Sequence, residues 1–462
     1  MRCLLLLLVG VCSAAEIYAA EAWPGFRGRG DSVAVAKNLP VTWEQRGQGG
    51  WTTRLAGYGQ SSPVVWGQRV FVTSVSGDQK ENLHVAAIDF STGKSLWRKE
   101  FPATQKVKDS DTVSRGAPTP AVDAERVYAI FESGDIVALS HGGDVLWQRS
   151  FVKDYGEIKG PHGYASSPLL IEGLVIVQVC HNGASYLLAL DVVTGANRWK
   201  TDHPAQTGWS SPVSYRHGQS IAVVVSTAGS VRAYDAIDGK ELWYVTGVQG
   251  NSTASPTVVG NLIVIGASER GGGARRDNAS RSSSIASSSG ANSDAAGLTP
   301  EATANQRRPD GVGDEKSLPG SLVIRLGGQG DVTQTHVVWR APKVAVGYSS
   351  PLAYDGLIYF TSKVGVVQCV DLKSGELRWQ HRLPGQTWAS AVANNGHLFF
   401  FCKEGDVVVL KAGSQLQVVG ENSISVTDIV YGVAAVDDAW IVRSGRSLVK
   451  IVAAKAPGDS QR

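Results

Sequence analysis

The sequence predicts an all-β protein, an eight-bladed β-propeller of four-stranded blades, closed by an N-terminal strand that completes the last blade. Three signals recur in fixed order: a small-small-Pro segment leading into a strand, an Asp-x-x-x-Gly turn, and a tryptophan four residues after that glycine. Four short strands repeating every 40 to 57 residues, with no helical period between copies, read as one blade. A single blade cannot bury both faces, so copies stack around an axis and the ring has to close.

The first signal appears as Ser61-Ser62-Pro63, Pro118-Thr119-Pro120, Ser166-Ser167-Pro168, Ser210-Ser211-Pro212, Ala254-Ser255-Pro256 and Ser349-Ser350-Pro351. Proline removes a donor where the ladder has not yet formed, so it suits a strand start. Ala389-Ser390-Ala391 and Gly432-Val433-Ala434 repeat the segment without the proline, which brings the copies to eight. The second signal ends the third strand at Asp89, Asp191, Asp235 and Asp371, eight residues before Trp97, Trp199, Trp243 and Trp379. Aspartate caps such a turn through the backbone and glycine takes its positive φ, so the segment joins a third strand to a fourth. The third signal is the tryptophan itself, a flat ring able to wedge against the next blade. Trp147 and Trp339 keep it in blades two and five without the aspartate, whereas blade seven has only aliphatic residues near Leu416.

The eighth unit, from Val430 to Val452, supplies three strands at most before the chain ends. Trp51 matches the tryptophan strand but follows no blade, so it is expected to be the outer strand of blade eight. The spacing from Pro256 to Pro351 is about twice the repeat, and its excess, Glu269 to Ser321, is rich in Ser, Gly and Ala. That stretch buries too little apolar surface to offset ordering and is expected to be a disordered insert in blade five. Its seven basic and seven acidic residues cancel.

Charge is nearly balanced over the 462 residues, 44 Lys+Arg against 41 Asp+Glu, which argues against a nucleic-acid partner. The N-terminus carries Arg2, an apolar run from Cys3 to Cys12 and then small residues, the pattern of a secretory signal peptide. Cleavage after Ala15 or Ala22 fits, and residues 1–22 are taken as the signal, 23–452 as the propeller and 453–462 as a tail. Val11 is too large for an efficient lipidation signal at Cys12, so export to the periplasm or beyond is expected without a lipid anchor. No later apolar run is long enough to span a bilayer. Cys180, Cys369 and Cys402 remain, an odd number in separate strands, and buried thiols are expected.

The Asp-x-x-x-Gly-x-x-x-Trp blocks with their Ser-Ser-Pro leads resemble the pyrroloquinoline-quinone-like (quinoprotein-type) repeat family of exported bacterial propellers. The resemblance runs from Trp23, in "WPGFRGRGD", to about Val452. An eight-bladed lipoprotein that assists outer-membrane protein assembly is similar in length and blade count. The resemblance also implies a test for quinone-dependent dehydrogenases, which hold their cofactor under a vicinal cysteine pair and beside Ca²⁺ on carboxylate and amide ligands. Here no two cysteines are adjacent, and neither a haem-binding Cys-x-x-Cys-His nor a calcium-loop motif occurs. No cofactor is expected, and pyrroloquinoline quinone with calcium stands as the alternative.

No catalytic or metal-binding residue is nominated. Asp109 and Asp111 on one connecting loop, and His162 and His181 near strand ends, read as solvated or hydrogen-bonded groups. A binding site is read at one rim of the channel. Trp209, Tyr348, Trp388 and Tyr431 each stand three residues before the strand-leading proline or alanine, and Tyr58, Arg115 and Tyr164 lie slightly earlier in their copies. Such side chains can ring a funnel for a peptide, sugar or quinone, or simply plug it. The expected function is a non-catalytic, monomeric scaffold for a protein partner in the cell envelope, with a quinone-dependent oxidoreductase or small-ligand binder as the alternative.

Overall fold

The computed structural model describes residues 22–43, 50–110, 113–160, 162–204, 206–268 and 320–453. The expected signal peptide (apart from Ala22), Asp111 and nearly all of the blade-five insert therefore lie outside the described residues. Ser321, placed in that insert by composition, instead opens the strand Ser321–Arg325. The strands form eight antiparallel sheets of four core strands each, and sequential sheets are the eight blades.

Burial follows position in the blade. The second strand of blade one, Arg69–Ser76, and the third, Asn82–Asp89, are buried on both faces because neighbouring blades cover both. The outer strand Ser95–Pro102 alternates between exposed and part-buried, since only one face meets protein. The ring closes as expected: Trp51–Arg54 pairs antiparallel with Ser447–Val452, with Trp51 opposite Lys450 and Arg54 opposite Ser447.

The repeated aspartates cap their turns. Asp191 Oδ1 accepts from the N–H groups of Val193 and Thr194, and Asp89, Asp235 and Asp371 accept equivalent bonds. Each tryptophan then docks on the turn of the next blade. The indole N–H of Trp51, Trp97, Trp147, Trp199, Trp339 and Trp379 donates to the carbonyl of Phe90, His141, Val192, Ala236, Leu372 and Gly413 respectively, at 2.9–3.0 Å. Gly195 explains why the turn needs glycine: its φ is +69°, and a Cβ there would lie 2.6 Å from the Trp147 ring. Trp243 is the exception. The next blade has no such turn, so Gly330–Asp331 folds back parallel to the outer strand of blade four. Trp243 is fully buried and donates to the hydroxyl of Tyr215 in its own blade.

A second belt binds the blades on the channel side. The N–H of Ser62 donates to Thr119 Oγ1, that of Thr119 to Ser167 Oγ, and the chain continues through Ser211, Ser255, Ser350 and Ser390 at 2.8–3.0 Å. The strand-leading serines are thus acceptors for buried donors of the preceding blade as well as small residues before proline. Blade eight has Gly432-Val433 at this place, and among the described residues the belt runs from Ser62 to Ser390.

Residues 22–34 sit at the channel and residues 36–43 run outward across blades seven and eight, a course the sequence did not foretell. Ala22–Trp23 pairs with Val64–Trp66 of blade one, Ala34 exchanges backbone bonds around Ala393 of blade seven, and Trp440 of blade eight donates to Pro40 O. Arg27 sits fully buried across the channel, donating to Pro256 O, Thr257 Oγ1, Ser32 Oγ and, more distantly, Ser255 O and Pro351 O. Trp43 packs its indole on blade seven, donating to Ser423 O, the blade whose sequence lacks the tryptophan signal. Among the described residues no helix is long and apolar enough to cross a membrane.

Candidate functional site

The segments that lead into the inner strands converge on one end of the axis, where the chain cannot yet pair and side chains are free to project inward. Together with the N-terminal plug they enclose a funnel of about 1000 Å³, at the top of the usual range for ligand pockets. Trp23, Phe26 and Arg27 of the plug form its floor, and the serine belt rings its lower wall.

Four of the seven rim residues read from the sequence line this funnel: Trp209, Tyr348, Trp388 and Tyr431. Three of them form one aromatic wall. Tyr348 and Trp388 stack at 4.4 Å between centroids and 17° between planes, and Tyr431 meets Trp388 edge-on at 5.4 Å. Trp209 stands apart, donating its indole N–H to Gly163 O and meeting His162 edge-on at 5.6 Å.

Tyr58 and Arg115 sit behind the wall. The Tyr58 hydroxyl donates to Asp428 Oδ1 at 2.9 Å and lies 2.7 Å from the Tyr431 hydroxyl. Burial and these neighbours raise its pKa above the ordinary tyrosine range, so it remains a proton donor. Arg115 lies over the Tyr58 ring, 4.9 Å from its centroid, and pairs with Asp109 at 2.6 Å. Tyr164 is buried against the core of blades two and three and is absent from the funnel lining. Asp109 is thus an arginine partner, while His181 accepts from the N–H groups of Lys159 and Gly183.

Sequence reasoning missed the cations. Lys363 lines the funnel, 5.8 Å from the Tyr348 centroid, and Lys403 lies 5.4 Å from that ring and 5.6 Å from Trp388. Both occupy the same place in their blades, two residues before the glycine of the turn between the second and third strands, at Gly365 and Gly405. Aligning those turns would have found them. Burial, with Lys363 nearby, lowers the Lys403 pKa below the ordinary lysine value.

Among the described residues the donor set does not fit a calcium-held quinone. The funnel lining carries no carboxylate among the described residues, and no group of three or more His, Cys, Asp or Glu is placed to hold a metal there. Cys180, Cys369 and Cys402 are buried and separate.

The family model described as outer membrane protein assembly factor BamB matches residues 21–185, 183–280 and 329–452. The outer membrane protein assembly factor BamB of Burkholderia pseudomallei (strain K96243) is 27% identical over 222 residues, which is 47% of this chain and 52% of that protein. The match to the Moranella endobia (strain PCIT) protein of that name covers 57% of its length, so the chain spans little more than half of the curated relatives it matches. Among solved structures, BamB from Moraxella catarrhalis superposes with a TM-score of 0.55 at 13% identity, covering 87% of this chain and 95% of that one. A europium-containing methanol dehydrogenase superposes at 0.60 and 12% identity, covering 93% and 90%. At such identity both establish the fold alone.

Proposed function

The chain belongs to the family described as outer membrane protein assembly factor BamB, and from that premise we propose that it is a non-catalytic scaffold of the cell envelope that serves outer-membrane protein assembly. The observation that carries this reading is the family match across most of the ring, joined to a funnel whose lining has no carboxylate for calcium or for acid-base work among the described residues. A rigid ring with loops at two rims offers broad surface for a protein partner at little ordering cost. Export and a monomeric ring are part of the same proposal.

The test is capture of envelope proteins on the purified propeller, beside deletion of its gene. The reading expects outer-membrane assembly proteins in the capture and lower levels of outer-membrane β-barrels in the deletion strain. Unchanged β-barrel levels, together with dye reduction that depends on pyrroloquinoline quinone and Ca²⁺, would sink it in favour of a dehydrogenase.

A further inference from the structure

We propose that the funnel is a receptor for an acidic peptide segment of a partner protein, held by Lys363 and Lys403 at the Tyr348–Trp388 stack. The inference rests on the scaffold reading for its choice of a peptide, and on the funnel itself for the sign of the charge.

The charge is one-sided. Lys363 lines the cavity and Arg27 forms part of its floor, while no Asp or Glu lines it among the described residues. Four carboxylates near the rim and plug are bonded to groups outside the cavity lining, although the charge of Asp31 still acts on Arg27. Asp428 accepts from Tyr58, Asp109 pairs with Arg115, Asp31 accepts from the N–H of Val33, and Glu132 lies 3.6 Å from the buried amine of Lys80 while accepting from the N–H of Gly116. Lys363 and Lys403 differ from those cations. Among the described residues neither forms an ion pair, and Lys403 has only the Gln386 amide oxygen at 2.9 Å. Glu404, next in the chain, forms no ion pair with Lys403 among the described residues, but its charge acts on that amine and offsets part of the positive field.

A low-dielectric wall strengthens this field at the cavity. An incoming carboxylate would gain two charge-assisted bonds where Lys363 now has the Tyr348 face and Lys403 has two aromatic faces and the Gln386 amide. The Tyr348 ring, 36% exposed, offers apolar contact beside those charges. Arg27 has spent its donors on carbonyl and hydroxyl oxygens, so its part is a fixed positive floor and not a direct ligand.

The experiment is calorimetric titration of the full chain with an eight-residue peptide of alternating Asp and Tyr, against the same peptide with Asn for Asp. The expected result is binding at least tenfold tighter for the Asp peptide, weakening as salt rises, and reduced tenfold or more in Lys363→Gln/Lys403→Gln. Lys94→Gln/Lys373→Gln, on exposed turns outside the funnel lining, should bind like the parent chain. Equal affinity for the two peptides, no binding, or unchanged affinity in the Lys363/Lys403 variant overturns the proposal. Should that variant not fold, the Asp-against-Asn comparison on the parent chain still decides. Capture of envelope proteins in parallel separates the two readings: capture without peptide binding overturns the funnel and leaves the scaffold standing.

Discussion

Trp51 and Lys450 face each other across the last ladder of the ring, and both donate to one acceptor, the carbonyl of Phe90 in blade one, at 2.9 and 3.1 Å. One side chain comes from the start of the described ring and the other from its final strand, so the two ends of the chain are tied to each other and to the next blade. The Lys450 amine also lies 3.8 Å from the Phe90 ring centroid.

The first prediction concerns this clasp. Trp51 is only part-buried, so Trp51→Ala is expected to cost about 2–3 kcal/mol, below the roughly 3–5 of a fully buried aromatic. Trp51→Phe keeps most of the packing and loses the hydrogen bond, about 1 kcal/mol. Urea unfolding of both variants measures the difference; equal losses would mean that the indole N–H contributes most of the clasp.

The serine belt gives a second. Ser167→Ala leaves the buried N–H of Thr119 without its acceptor and is expected to destabilise by about 1–3 kcal/mol, although it removes a single oxygen. Ser91→Ala, on an exposed turn, should stay within about 0.5 kcal/mol. Matching unfolding curves for the two variants would remove the belt from the account of stability.

The thiols give a third. Burial pushes the pKa of Cys180 and Cys369 up to about 12 and that of Cys402 up to about 11. Iodoacetamide should leave all three unmodified at pH 8 in the native protein and label all three in denaturant. Rapid labelling of any one in the native state contradicts its burial.

Acid stability is the fourth. Hydrogen bonds within their turns, mainly from Thr92, Thr194 and Ser374, hold Asp89, Asp191 and Asp371 below the ordinary carboxylate value of 3.8, Asp371 at about 2. A carboxylate with a lowered folded pKa stabilises above its unfolded value and loses that contribution as pH falls through the folded one. Melting temperature should therefore decline between pH 4 and pH 2, and Asp371→Asn should start lower and decline less over that window. These turns are solvent-exposed, so the change per site is small. A decline as steep in Asp371→Asn as in the parent chain would assign the acid sensitivity to other groups.

The blades, their number and their closure were legible because each depends on a pattern repeated in the chain itself. Asp191, Gly195 and Trp199 keep their spacing in every full copy, and Trp51 could be matched to a strand with no blade because six other tryptophans defined its place. The rim was legible in part. The offset from proline found Trp209, Tyr348, Trp388 and Tyr431, but the same logic put Tyr164 on the funnel, where packing against blades two and three buries it instead. The missing turn in blade five could be read, but its consequence, Trp243 turning to Tyr215, could not.

What the sequence by itself determined is therefore the periodic part: four strands, a capped turn and a docking tryptophan, each set by the backbone needs of a few adjacent residues. Only the tertiary structure decided what fills the axis. Arg27 reaches acceptors more than two hundred residues away, and Lys363 and Lys403 share one aromatic wall from two different blades. Residues 22–43 match no repeat, so nothing local assigns them a partner; the place of Trp23 and Arg27 follows from the channel that the closed ring creates and the polar backbone groups that line it.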